Sequence, residues 1–179
     1  ITGWNEAESW TEQDLNAAVI HGERVWVFGD SGIVRFSEDS GETWQNHSNL
    51  GDADLISADS YENTMVVLST DGIIYMKDGL ESEWITTKNS SQKGMKSIAL
   101  AAEESLIIVG NEGAIWQYTN NDWYNRTTSF TENLHDVDFN GAEDGLAVGD
   151  AGTILATNNG GVTWDYRESP DPESSIVSV

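Results

Sequence analysis

Short runs of β-branched and aromatic residues recur along this chain, each followed by a glycine turn and a polar stretch. The runs Val25–Phe28, Met65–Leu68, Leu106–Val109 and Leu146–Val148 lead to turns that end at Gly32, Gly72, Gly113 and Gly152, spaced 40, 41 and 39 residues apart. A second marker keeps the same step: Trp4, Trp44, Trp84, Trp123 and Trp164 are spaced 40, 40, 39 and 41 residues apart. Two markers with one period predict a repeated supersecondary unit rather than a single irregular domain.

Each unit reads as four strands, A to D. In the first, A lies near Leu15–Ile20, B near Arg24–Gly29, C near Ile33–Ser37 and D near Thr43–His47. Later A strands fall at Leu55–Ser60, Lys96–Ala101 and Leu134–Phe139, and later C strands at Ile73–Lys77, Ala114–Tyr118 and Thr153–Thr157. The unbroken apolar B and C runs predict strands covered on both faces. The glycine of each B–C hairpin supplies the positive φ of a tight turn. The fold class that follows is all-β: a β-propeller of four-stranded antiparallel blades near residues 11–50, 51–91, 92–130 and 131–170. The repeat frame leaves a lone D strand around Trp4, in residues 1–10, and a segment matching an A strand at 174–179. Those two pieces would share one blade, or the chain is an excerpt of a larger propeller, and the frame favours the excerpt.

Two C–D hairpins carry an eight-position pattern. Ser37-Glu38-Asp39-Ser40-Gly41-Glu42-Thr43-Trp44 and Thr157-Asn158-Asn159-Gly160-Gly161-Val162-Thr163-Trp164 both fit S/T-x-D/N-x-G-x-T-W. A short Asp or Asn side chain accepts backbone N–H groups inside such a turn, and Gly41 and Gly161 can take positive φ. Ser37 and Thr157 are placed to bond across the hairpin mouth, Thr43 and Thr163 to start strand D, and Trp44 and Trp164 to pack between blades. The other two hairpins keep only Trp84 and Trp123. The pattern resembles the Asp-box, or BNR repeat, of the sialidase superfamily. The fourth repeat, from Leu134 to Trp164, resembles the photosystem II assembly/stability factor family of BNR-like propellers. That resemblance implies an assembly or docking surface without catalysis. Those assembly factors use a basic patch, and four arginines (Arg24, Arg35, Arg126, Arg167) do not supply one, so a photosynthetic role is not carried over.

Charge narrows the partners. Asp and Glu number 31 against 8 Lys and Arg, a formal charge of −23. Nucleic acid and anionic membrane surfaces are excluded, since both need a basic face. The acidity points to a halophilic or marine source and to an extracellular or cell-surface location, where salt screens self-repulsion. The chain has no Cys, so disulfides and thiolate metal sites are absent. Each B–C turn holds one acid: Asp30, Asp71, Glu112 and Asp150. Together they are the candidate face-binding ring, with Ca²⁺ or a cationic partner as occupant, against the alternative of ordinary turn chemistry. Asp52/Asp54 and Asp136/Asp138 are weaker hints of the same kind. His21, His47 and His135 fall in different repeats and read as unrelated strand-end or surface residues.

No catalytic residue is assigned. The expected function is a non-catalytic extracellular binding or assembly scaffold for a protein or glycan partner, with Trp10, Trp116, Tyr118 and Tyr124 as aromatics for glycan stacking. One alternative is part of an Asp-box glycoside hydrolase, sialidase-like or endoglucanase-like. The other is a structural repeat of a surface layer, filament or virion, oligomerising through exposed edge strands.

Overall fold

The computed structural model describes residues 11–88 and 94–179. Its strands form four antiparallel sheets, each taking four strands in chain order. Blade 1 holds β1 (Leu15–His21), β2 (Arg24–Gly29), β3 (Val34–Ser37) and β4 (Gln45–Asn46). Blade 2 holds β5 (Leu55–Tyr61), β6 (Thr64–Ser69), β7 (Ile73–Asp78) and β8 (Ile85–Lys88). Blade 3 holds β9 (Met95–Ala102), β10 (Ser105–Gly110), β11 (Ile115–Thr119) and β12 (Asp122–Asn125). Blade 4 holds β13 (Leu134–Asn140), β14 (Asp144–Gly149), β15 (Ile154–Asn158) and β16 (Asp165–Arg167). The innermost strands pack in the order β1, β5, β9, β13, so the sheets stand side by side around one axis as propeller blades.

The core is a set of seams between blades. Trp26, Phe28 and Val34 of blade 1 meet Leu55, Met65, Val67 and Tyr75 of blade 2. Val66, Leu68 and Ile74 then meet Ile98, Leu100, Leu106 and Ile108 of blade 3. Ile107, Val109 and Ile115 meet Val137, Ala147, Leu155 and Trp164 of blade 4. Successive residues of one B strand therefore serve opposite seams, which is why these strands are apolar without alternation.

β6 is buried along its whole length, and β10 beyond its first residue. The C strands β3, β7, β11 and β15 include half-buried positions, unlike the uniform burial expected for them. Sheets that radiate from an axis diverge outward, so only inner strands are covered on both sides. For the same reason the D strands are short and mostly exposed.

Three B–C turns are single 3₁₀ turns, at Asp30–Gly32, Asn111–Gly113 and Asp150–Gly152. The expected glycine has positive φ in each, and so does the residue before it: Ser31 (55°), Glu112 (58°) and Ala151 (51°). The backbone N–H groups of Ile33, Ala114 and Thr153 close these turns on the Asp30, Asn111 and Asp150 carbonyls. The C strands after these three turns accordingly start one residue later than predicted, whereas β7 starts at Ile73 as predicted. Glycine is required by space as well as by φ: a Cβ on Gly113 would lie 2.0 Å from the Phe130 carbonyl oxygen.

The predicted D strand around Trp4 lies outside the described residues, as do Trp10 and residues 89–93. Residues 174–179 form no strand of their own, in contrast to the predicted A strand, because no second strand lies beside them to complete a ladder. Their backbone is held by blade 4 instead. Ile176 N–H donates to Gly149 O at 2.9 Å and Val179 N–H to Asp136 Oδ2 at 3.0 Å, while Ser174 O accepts from Gly152 N–H at 2.7 Å. Among the described residues no helix is long and apolar enough to cross a membrane.

Two substitutions test this packing. Ile107→Ala, in the seam between blades 3 and 4, should lower the unfolding free energy by about 2–5 kcal/mol in urea titrations. Gly113→Ala should cost more than about 1 kcal/mol in the same measurement, because the turn can neither take the positive φ cheaply nor admit the methyl group.

Candidate binding surface on the inner strands

Both Asp-boxes are closed, self-contained turns. Ser37 Oγ donates to Asp39 Oδ1 at 2.7 Å and accepts from Gly41 N–H at 2.8 Å. Thr43 N–H and Oγ1–H donate to the two Asp39 oxygens at 2.8 and 2.5 Å. In the second box Thr157 Oγ1 donates to Asn159 Oδ1 at 3.0 Å and accepts from Gly161 N–H at 3.0 Å. Asn159 Oδ1 accepts from Thr163 N–H at 3.0 Å, and its Nδ2 donates to Thr163 Oγ1 at 2.8 Å. Ser37 and Thr157 thus bond within the turn and not across the hairpin mouth as expected, since the Asp39 carboxylate and the Asn159 carboxamide oxygen are nearer. Trp164 follows the box into the seam and donates from Nε1 to Gly161 O at 3.1 Å. Trp84 and Trp123 take equivalent places without a box. The bonds of the boxes fix the two C–D hairpins.

The four B–C turn acids do not occupy one equivalent position. Asp30 and Asp150 open their turns, whereas Asp71 and Glu112 occupy the following position, so they fall into two pairs offset by one residue. Each carboxylate that bonds has local partners. Asp30 Oδ1 accepts from Asn16 Nδ2 at 2.9 Å, and Asp71 Oδ1 from Ser69 Oγ at 2.6 Å. Asp150 accepts from His135 Nε2 at 2.6 Å, Asn133 Nδ2 at 3.0 Å and Ser175 Oγ at 2.9 Å. Among the described residues no three His, Cys, Asp or Glu side chains are grouped so as to hold a metal ion.

What the topology does bring together is the inner wall. Adjacent A strands are joined by short polar side chains in place of a backbone ladder. Ser57 Oγ accepts from Ile98 N–H at 3.1 Å, and Asp59 Oδ2 from Leu100 N–H at 2.7 Å. Ser97 Oγ donates to Asp136 Oδ1 at 2.7 Å, and Ser60 Oγ to Ile20 O at 2.8 Å. Burial pushes the Asp59 carboxyl above the ordinary aspartate value, against the pull of the Leu100 and Ser60 N–H groups. A groove of about 450 Å³ runs along this wall, between small residues such as Ala18, Ala58 and Ser97 and the polar Asn16, Lys96 and Asp136. Val177 and Ser178 lie along it as an extended segment. His135 belongs here too. Lys96 Nζ, which can only donate, sits 3.1 Å from His135 Nδ1, so Nε2 carries the proton facing Asp150. No sequence motif marks this Lys96–His135–Asp150 chain, because its members lie 39 and 15 residues apart.

The remaining candidates stay apart. His21 is the strand-end residue of β1, buried and not at the surface, and burial lowers its pKa. His47 sits between Trp26 and Trp84 at ring distances of 5.6 and 6.4 Å. The four arginines each have separate partners. Arg24 pairs with Glu38 and Glu81, Arg126 bonds Gln117, Arg167 pairs with Asp165, and Arg35 donates to Val34 O. No arginine cluster for a carboxylate substrate forms. Trp116 and Tyr118 pack in the seam between blades 2 and 3, and Tyr124 remains exposed.

Residues 115–178 match the family model of the photosynthesis system II assembly factor YCF48. Three solved structures share the architecture. A structure of YCF48 bound to D1 peptide has a TM-score of 0.56 and 14% identity, with coverage of 87% of this chain and 82% of that one. YCF48 from Cyanidioschyzon merolae gives 0.54 and 12%, with 87% and 72% coverage. The WD40 propeller domain of Doa1 gives 0.66 and 14%, with 91% and 57% coverage. Among curated proteins, no sequence matches the chain. At such identities the solved structures establish the fold alone, a β-propeller, and the resemblance to the assembly factor is carried by residues 115–178.

The boxes carry a pH dependence of definite sign. Asp39 is held at about 2 by the Thr43 hydroxyl, the Thr43 N–H and Ser37, and Asp150 at about 2 by His135, Asn133 and Ser175. A carboxyl depressed in the folded state stabilises above its unfolded value, and that stabilisation is lost as the pH falls from 3.8 toward about 2. Asp59 acts in the opposite sense: its contribution is full at low pH and declines as the pH rises through its raised value. Asp39→Asn reproduces the uncharged second box. Urea midpoints measured against pH should show a shallower acid-induced fall for this variant than for the parent chain.

Proposed function

We propose that this chain is a non-catalytic binding module, acting at the cell surface or outside the cell, whose inner wall holds an extended segment of a partner protein. The observation that carries the reading is the path of residues 174–179. An extended backbone lies along the wall and is held by a side-chain carboxylate, Val179 N–H on Asp136 Oδ2 at 3.0 Å. Backbone-directed bonds of this kind receive a strand with little regard to its sequence, while small side chains beside it set which residues fit.

Other features agree. The groove has room for a few residues and offers a donor at Lys96 and acceptors along the A strands. A net charge of −23 favours a segment flanked by lysine or arginine and speeds its approach at low salt. Such acidity suits a saline exterior, where counter-ions relieve repulsion. The YCF48 structure with a D1 peptide offers a precedent of the same fold holding a peptide.

A fluorescein-labelled peptide Lys-Val-Ser-Val-Lys should raise its anisotropy saturably on addition of the chain, and salt should weaken the binding. Ala18→Trp, which fills the groove from an exposed position, should abolish binding while the circular dichroism spectrum is unchanged. Undiminished binding by this variant would remove the inner wall as the site. Release of nitrophenol from aryl-glycosides would contradict the non-catalytic reading.

A further inference from the structure

The repeat lets the described seams be compared at equivalent positions. Trp84, Trp123 and Trp164 each lead an outer strand and pack into the seam before their own blade. Two of these indoles have an acceptor. Trp123 Nε1 donates to Thr87 Oγ1 of blade 2 at 3.3 Å, and Trp164 Nε1 to Gly161 O at 3.1 Å. Between blades 1 and 2 the pattern breaks. Trp84 Nε1 is buried without a partner, and so is Nε1 of Trp26, whose ring meets Trp84 edge-on at 6.4 Å. The residue equivalent to Thr87 is His47, whose Nδ1 is committed to Ser48 O at 2.8 Å. An indole N–H can only donate, and leaving one buried without an acceptor is costly.

This seam also differs in holding a pocket of about 470 Å³. Such a volume falls in the range of about 300–1,000 Å³ usual for small-molecule sites. Trp26, Phe36, His47 and Trp84 form aromatic walls, and Lys77 and Arg24 bring cations to them. The exposed carboxylates of Glu81 and Glu83 border the same space. Lys77 is the unusual member. It stands where the Asp-boxes place Ser37 and Thr157, it is only 5% exposed, and burial lowers its pKa. Its Nζ donates to Ser82 O, and among the described residues no carboxylate pairs with it. Arg24, by contrast, is held by Glu38 and Glu81 at 2.7 and 3.1 Å.

We propose that the pocket between blades 1 and 2 binds a neutral pyranose, either as a free hexoside or as the terminal sugar of a glycan. Hydroxyl groups both accept and donate. They supply acceptors for Lys77 and the indole N–H groups, and donors for Glu81 and Glu83. The C–H face of a pyranose is apolar and rests against an aromatic wall. Charged ligands fit less well. An anion meets Glu81 and Glu83 in a chain of net charge −23. A cation competes with Arg24 and Lys77, which already lie over the Phe36 and Trp84 rings at 4.8 and 5.8 Å. The walls are not the aromatics expected for glycan stacking, Trp116, Tyr118 and Tyr124. The pocket shares no lining residue with the inner-wall groove, so the inference is independent of the peptide-binding reading.

Calorimetric titration of the full chain tests it, with methyl glycosides of glucose, galactose and mannose as neutral probes. Methyl glucuronide and choline serve as charged probes. At least one neutral glycoside should bind, and more tightly than either charged probe. Lys77→Met and Trp84→Phe keep apolar bulk and remove a donor, and each should weaken binding by roughly threefold to tenfold. Leu80→Trp, which fills the pocket from its half-buried margin, should abolish binding while the circular dichroism spectrum is unchanged. Trp123→Phe, in the seam where the N–H has its acceptor, should leave the affinity as it was, and so should Ala18→Trp on the inner wall. Tighter binding of an oligosaccharide ending in the preferred sugar supports a glycan as the source, and equal binding supports the free sugar. The proposal fails if no neutral glycoside binds at millimolar concentration, or if glucuronide or choline is preferred. It fails equally if Lys77→Met and Leu80→Trp leave the affinity untouched, since the sugar then sits elsewhere.

Discussion

The fold depends on apolar seams between sheets that share no backbone ladder. Each blade contributes two unlike faces from one B strand, and each seam closes only when the next blade arrives in register. The tryptophan ahead of each outer strand sets that register at the periphery, where the sheets diverge and smaller side chains would leave a gap. At Trp26 the same seam gathers Phe36, His47 and Trp84, with ring centroids 5.1 to 6.4 Å away. Edge-on aromatic contacts of this sort favour one arrangement of neighbours over many merely apolar ones.

The architecture was legible because it is written in residues whose role is local or periodic. Glycines at Gly32, Gly72, Gly113 and Gly152 mark turns that allow no other backbone, and the tryptophan step of about forty residues marks the blade. The Asp-boxes could be read for the same reason: the bonds of each fall within seven consecutive positions, from Ser37 to Thr43 and from Thr157 to Thr163. What escaped reading involves distant parts of the chain or fine register. That Ser31, Glu112 and Ala151 join their glycines at positive φ is imposed by the closing bond of the 3₁₀ turn, since these residue types do not prefer it. The acids of the B–C turns looked equivalent because each stands beside a glycine, but a one-residue offset separates Asp30 and Asp150 from Asp71 and Glu112.

The inner wall was the least visible part. Ser57, Asp59, Ser97 and Asp136 look like ordinary polar strand positions, and their assignment as bridges depends on which strand faces them from the next blade. His135 meets Asp150 within blade 4 and gains Lys96 only through the stacking of blades 3 and 4. Polar residues at the axis therefore join the repeats, while apolar residues farther out supply the driving force for packing them. On the proposed reading the same bridging groups would receive a partner segment, as Asp136 accepts from both Ser97 Oγ and Val179 N–H.

Side-chain bridges between inner strands have a consequence for ancestry. A continuous ladder fixes how many strands can be added before the sheet must curl, whereas blades joined by a serine or an aspartate can be copied one at a time. Each duplicated unit brings its own hairpin, its own tryptophan and one new bridging pair. The sequence can then drift, as the loss of two Asp-boxes in this chain illustrates, so long as the indole remains. Propellers of differing blade number are thus reachable by tandem gene duplication without passing through an unfoldable intermediate.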